Sequence, residues 1–528
     1  MRAALPKLCG MAMVRSPTLA GVQSNRIRLQ AFDGVFTGEI GMVAISRRAW
    51  LQGAAALAFT SHAWADKAPV TTTKALELPH ARPALGARHF TSEAVETVIQ
   101  KVRKQIPDVP LATIFENCFP NTLDTTVFPG SYEGKPDTYI VTGDIDAMWL
   151  RDSSAQVMPY LALAKQDQPL RELLEGVIRR QARMILIDAY ANAFMRDTTA
   201  APLQWSLNDK TKHYPGVGER KWEVDSLCYP IRLAHGYWQQ TGDTGPFDAQ
   251  WKEAAWTIVR TFRTQQRKQG RGPYSFQRAS YTPTDTLALD GFGSPALPVG
   301  MIFSMFRPSD DACTYPLFVP ANLFAVVSLR QLATLASQVL KDVRLAEEAH
   351  ALAAEVEAAL SRYGKTEHAH YGEIWAYEVD GYGNVLMMDD ANAPGLLSLP
   401  YLGCCGIDDP SYRRTRQFVL SEANPYFFRG TAAEGVGGPH AGLNMIWPMS
   451  IIMRALTTRD DAEIRRCLRW LRNTTAGTGF MHESFQKDDP KVFTRAWFAW
   501  ANTLFGELTV RLASERPQVF GGDSGYWS

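Results

Sequence analysis

From about Thr91 onward, apolar residues recur at the spacing of an α-helix. Ser92 precedes Val95, Val98, Ile99 and Val102, a stripe that predicts a helix with a serine N-cap. Similar stripes predict helices at 153–165, 170–193, 225–241, 246–268, 319–338, 341–363, 410–421, 443–457, 460–474 and 494–513. Strand-like alternation is short and rare, as at 371–377. No heptad array, low-complexity block or solenoid repeat interrupts the pattern. Long loops separate the helices, at 113–145, 194–222, 269–318, 378–408, 422–442 and 475–493. They hold most of the Gly, Pro, Asp and aromatic residues, and long loops on a rigid scaffold tend to carry function. Loops recurring after alternate helices predict an all-α fold in one domain, an α/α toroid of two concentric helix rings with a pocket at one end. Two packed helical domains are the alternative. Residues 66–90 read as a linker, 91–515 as the helical domain and 516–528 as a tail.

The N-terminal 65 residues do not belong to that pattern. Ser46-Arg47-Arg48-Ala49-Trp50-Leu51 is a twin-arginine signature, followed by an apolar run from Gly53 to Phe59 and an A-x-A site at Ala63-Trp64-Ala65. The run is too short to span a bilayer. The order of these parts predicts export, periplasmic or extracellular, without stable membrane insertion. Met42 stands just ahead of the signal and is an alternative start.

Composition narrows the chemistry. Among 528 residues, 55 Lys and Arg face 54 Asp and Glu, so nothing electrostatic points to nucleic acid. The seven cysteines contain no C-x-x-C pair, so they predict buried free thiols rather than a metal site. His482-Glu483 lacks the second histidine of a zincin, because position 486 is Gln486. Gly477-Thr478-Gly479 lacks the G-K-[ST] ending of a phosphate loop. No metal and no cofactor is expected.

Carboxylates interleaved with aromatics remain. Thr142 to Gln156 places Asp144, Asp146, Arg151 and Asp152 around Trp149 and other apolar residues. Buried charges need partners, and sugar hydroxyls supply them while indole faces pack on sugar C–H surfaces. Glu223 sits between Trp222 and Val224 at the mouth of a helix, a setting that raises a carboxyl pKa. From spacing alone, the surface reading ahead of an Asp225 or Ser226 cap is the commoner one. Arg307, Asp310 and Asp311 form one polar loop; Glu434 to His440, leading to Asn444, forms another. A glycosidase needs one protonated carboxylic acid and one carboxylate, and this inventory suits it.

Five motifs, TGDIDAMWLRDS, KWEVDSLCYP, FRPSDDACTYP, GGPHAGLNMIWP and GTGFMHESF with FTRAWFAWANTLFGEL after it, resemble glycoside hydrolase family 125 over about 90–512. The resemblance implies an (α/α)6 barrel and a metal-independent, inverting, exo-acting α-1,6-mannosidase whose partner is a mannose-containing glycan. Carried over, it implies Glu223 as general acid and Glu483 as general base, with Glu434 a competing carboxylate. It further implies that Asp144, Asp146, Arg151 and Asp152 grip hydroxyls, that Trp149 is a wall, and that Arg307, Asp310, Asp311, His440 and Asn444 complete the pocket. Another α/α-toroid glycosidase, or an inactive glycan-binding protein on the same fold, is the alternative.

Overall fold

A computed structural model describes residues 77–521, which fall in one compact unit. The twin-arginine segment, residues 1–41 and the outer ends of the predicted linker and tail lie outside the described residues. Fourteen helices are present among the described residues. The first seven are α1 (Glu93–Arg103), α2 (Val109–Cys118), α3 (Asn121–Thr125), α4 (Leu150–Val157), α5 (Gln168–Ile187), α6 (Val224–Thr241) and α7 (Ala249–Gln265). After them come α8 (Ala288–Gly291), α9 (Val319–Gln338), α10 (Val343–Tyr363), α11 (Pro410–Val419), α12 (Pro448–Leu456), α13 (Asp461–Asn473) and α14 (Ala499–Glu515).

The helices divide into two kinds. In α4, α9, α12 and α14 most residues are buried. Together with α6 these make the inner wall: α14 packs on α4, α4 on α6, α6 on α9, and α12 on α14. Between α9 and α12 the wall is completed by a buried turn segment at 389–405. Tyr229 Oη of α6 donates to Ala393 O of that segment at 2.7 Å, and Tyr401 Oη of the segment donates to Glu507 of α14 at 2.8 Å. The outer helices α1, α5, α7, α10, α11 and α13 are amphipathic, each with one buried stripe.

The N-termini separate the two kinds again. The outer helices and α2 begin at Ser92, Asp108, Asp167, Asp248, Asp342, Asp409 and Asp460, each accepting a backbone N–H through its side chain. The inner helices begin at Trp149, Glu223, Phe318, Trp447 and Phe498, with no side-chain cap. Their first N–H groups are satisfied by distant loops instead. Leu150 N donates to Asn192 O at 3.0 Å, Val224 N to Ser304 Oγ at 3.1 Å, Val319 N to Tyr377 O at 3.0 Å and Ala499 N to Thr142 O at 3.0 Å. The missing caps therefore fasten the long loops over the inner helix ends, and Trp149, Trp447 and Phe498 stay available to a pocket.

All eleven predicted helices are found, some with shifted ends. The 113–145 loop is not a loop throughout: it overlaps α2 and contains α3 and a hairpin pairing Val127–Tyr132 with Lys135–Ile140. α2 is nearly all buried, so it shows no polar face and no stripe to detect. The 371–377 alternation is realised as the strand Gly372–Trp375, paired with Lys365–His368. At the predicted linker, Arg82 reaches Asp124 at 2.8 Å and Glu96 at 2.6 Å, tying residues 77–90 to the helical body.

Candidate active site

Where the uncapped inner helices begin, a pocket of about 350 Å³ opens. Trp149, Trp447, Phe498 and Trp500 give it aromatic walls. Trp447 and Phe498 meet edge to face with ring centroids 6.1 Å apart, a favourable aromatic geometry. The indole Nε1 atoms of Trp149 and Trp447 are buried without a hydrogen-bond partner. Two unpaired donors in one pocket are what a hydroxyl-rich ligand would satisfy.

Arg151 is the electrostatic centre. Its guanidinium is almost fully buried and touches four carboxylates. Nη1 lies 2.5 Å from Glu223 Oε2 and 3.2 Å from Asp225 Oδ2, Nη2 lies 3.2 Å from Asp310 Oδ1, and Nε lies 3.6 Å from Asp152 Oδ2. One cation cannot balance four buried anions, so protons must be retained. Burial raises Asp152 and Asp225 to about 6 each, against the pull of Arg151. Burial, with Asp310 and Asp225 as like charges, raises Glu223 well above the ordinary carboxyl range despite Arg151. For Asp310 burial is outweighed by Arg151, a hydrogen bond with Glu223, Lys221 and His440, which hold it below the ordinary range.

Glu223 and Asp310 both reach Arg151, the opposite shifts favour the proton on Glu223, and their positions differ. Glu223 is fully enclosed: Ser226 Oγ donates to its Oε2 at 2.7 Å, and it does not line the pocket. Asp310 does line it, with 23% of its side chain exposed. Asp310 takes a left-handed backbone, φ 66°, which aspartate tolerates better than most residues. Lys221 Nζ donates to its carbonyl at 2.8 Å, and Asn192 Nδ2 to its Oδ1 at 3.3 Å. The tight turn, buried ammonium and amide aim the carboxylate inward.

Glu483 reaches the same pocket from the loop just before the strand Ser484–Gln486. Thr494 Oγ1 donates to it at 2.9 Å and Arg495 Nη1 lies 3.3 Å away. Arg495 is itself held by Asp144 at 2.6 Å. His440 lines the pocket with Nδ1 3.6 Å from Asp311. Burial opposes its charge, but Asp311, Glu483 and Asp310 outweigh this and raise it to about 9. The raised pKa sets a sign. Stability contributed by charged His440 is complete below pH 6.5 and is lost as pH rises through about 9. The melting-temperature gap between the native chain and His440→Gln is therefore expected to be widest in mildly acidic buffer and to close above about pH 9.

Of the residues singled out in the sequence, the pocket brings together Trp149, Arg151, Asp152, Asp310, His440 and Glu483. Glu223 and Asp311 stand directly behind these, and Asp144 reaches Arg495 from an exposed position. Arg307 is buried and paired with Glu378 at 2.6 Å, while its N–H donates to Asp311 O, so it braces the Asp310 loop. Asp146 is 76% exposed and faces Arg196 outside the pocket. Asn444 is exposed at a left-handed turn and does not line the pocket. The competing Glu434 is tied to Arg454 and Arg429, also away from it. Sequence reasoning assigned no site role to Arg495, Lys221, Trp447, Phe498 and Trp500, although its motifs contained them, and it did not single out Asn192. An aromatic residue directly before an apolar helix that lacks a Ser or Asp cap was the available signal for Trp447 and Phe498.

Comparison with known proteins identifies the family. Residues 108–510 match the family described as metal-independent alpha-mannosidase (GH125). The meiotically up-regulated gene 157 protein of Schizosaccharomyces pombe is 43% identical over 463 residues, spanning 85% of this chain and 91% of that protein. A Streptococcus pneumoniae metal-independent α-mannosidase, solved as a non-productive complex with α-1,6-mannobiose, superposes with a TM-score of 0.77 at 41% identity. That match covers 81% of this chain and 100% of the other. The fold is accordingly the α/α toroid of that enzyme, and the chain is a glycoside hydrolase that belongs to the metal-independent α-mannosidases of family GH125.

Proposed function

We propose that the chain is an exo-acting, inverting α-1,6-mannosidase, in which Asp310 delivers a proton shared with Glu223 and Glu483 activates water. The observation that carries this reading is the enclosure of Glu223. A group sealed from the pocket cannot touch the glycosidic oxygen, whereas Asp310, its partner, faces it. Asp310 gives its proton to the departing oxygen as the C1–O bond breaks, and Glu223 reprotonates it. Glu483 takes a proton from the water whose oxygen bonds to C1 from the other face. The products are β-mannose and the freed alcohol, and the two carboxyls act as acid and base of an inverting pair.

Exo action is supported by a pocket walled by inner helix ends rather than an open groove. Trp205, Lys221 and Asp285 line the side next to Asp310, where the remainder of the glycan would leave. The α-1,6 linkage is supported by the disaccharide bound in the Streptococcus relative. The Arg47-Arg48 pattern supports action outside the cytoplasm. The test is α-1,6-mannobiose hydrolysis followed by NMR of the anomeric protons from the first minute. β-Mannose is expected first. α-Mannose first means retention and removes the acid–base assignment; cleavage only of other linkages removes the α-1,6 reading.

A further inference from the structure

A second cavity lies apart from the catalytic pocket. It measures about 260 Å³ and sits between the turn after α7 and the loop at 289–303. Arg267 and Arg271 enter its wall, and no carboxylate does. Its lining is otherwise largely apolar, with Phe292 and Phe303 the main surfaces. Arg267 Cζ lies 4.8 Å from the Phe303 ring centroid and Arg271 Cζ 5.2 Å from that of Phe292, so each guanidinium rests on an aromatic ring.

Arg267 is a partly buried cation that no carboxylate among the described residues pairs with. Its Nε donates to Gln265 Oε1 at 3.3 Å, Nη1 to Phe292 O at 3.0 Å and Nη2 to Met305 Sδ at 3.2 Å. All three acceptors are neutral, and a thioether is a weak one; a guanidinium has five N–H donors, so two are left over. Four buried arginines elsewhere are matched differently: Arg151, Arg220, Arg278 and Arg307 each face a carboxylate. Near this cavity the local carboxylate, Glu355, is taken by Arg263 and Lys268. Burial, with Arg271 as a like charge, pulls Arg267 down to about 10 despite nearby tyrosines. A helix-end role explains only part of this. Arg267 follows α7, but the last turn of α7 already carries Arg263, and neither Arg271 nor the cavity is needed there.

We propose that this cavity binds a small organic oxyanion, a carboxylate or phosphate monoester on a short apolar body. The charged head lies between Arg267 and Arg271, and the body covers Phe292 and Phe303. The place is not remote from the chemistry. Phe303 O accepts Trp222 Nε1 at 2.7 Å, and Trp222 immediately precedes Glu223.

The test is calorimetric titration of the full chain with benzoate and with phenyl phosphate, using benzyl alcohol and matched sodium chloride as controls. Saturable binding of at least one anion is expected, with none for benzyl alcohol. Benzoate alone would assign a carboxylate head and phenyl phosphate alone a phosphate head. Arg271→Ala, at an exposed position, is expected to weaken binding about tenfold or more while leaving mannoside hydrolysis unchanged. No saturable binding of either anion, or binding unaltered in Arg271→Ala, overturns the proposal.

Discussion

Glu483→Gln is expected to lower mannoside hydrolysis by about 10³-fold or more, with substrate binding largely kept. The amide is isosteric and still accepts the Thr494 hydroxyl, so the pocket keeps its shape. It cannot take a proton from water, and it also gives up the negative charge that faces Arg495 and His440. The loss should therefore appear in kcat, with little change in KM. A second measurement separates a base from a residue that merely holds Arg495. In Glu483→Ala, azide needs no deprotonation and can occupy the space of the carboxylate and water. It is expected to restore turnover and to give a β-mannosyl azide. Failure of azide to rescue, with the protein folded and mannobiose still bound, would point to a structural role through the Arg495–Asp144 pair.

The helices were legible because most are amphipathic and most outer ones carry an acidic N-cap. Asp342 ahead of α10 and Asp460 ahead of α13 are signals that a sequence displays openly. The inner helices carry their own code, which is subtler. Trp149, Trp447 and Phe498 stand where a cap is expected, because those ends are closed by loops far away in the chain. Such pairings, Ala499 with Thr142 for example, are long-range and leave no local trace. α2 was missed for the opposite reason, being apolar on almost every face.

The site was legible as an inventory and not as an arrangement. The TGDIDAMWLRDS stretch supplies Trp149, Arg151 and Asp152 to the pocket, yet Asp146, six residues before Asp152, faces outward. Alternating direction within one turn cannot be read from residue type. Arg495 is a similar case. It lies 12 positions beyond Glu483 and 351 beyond Asp144, and only the folded chain makes it the bridge between them. The depth of Glu223 is also a tertiary property. Its neighbours Trp222 and Val224 announced burial, but not that Asp310 would line the pocket in its place.

That last arrangement yields a sharp expectation. Asp310→Asn should reduce hydrolysis of mannobiose by about 10²–10⁴-fold, because the departing sugar alcohol leaves poorly without a proton. The same variant should lose far less on an aryl mannoside whose phenolate leaves unaided. Glu223→Gln should behave differently. It removes the proton source and leaves the local charge unchanged, while Arg151 and Lys221 continue to hold Asp310 low. The protonated form of Asp310 then requires a lower pH, so the optimum for mannobiose should move to the acid side, with activity partly recovered there. Measuring kcat/KM against pH for both variants on both substrates decides between the two carboxyls. If Glu223→Gln shows a leaving-group-dependent loss at every pH and Asp310→Asn does not, the donor is Glu223. The enclosure seen around it would then have to open during turnover. If the pattern is reversed, the pocket-facing aspartate is the donor and the buried glutamate its reservoir.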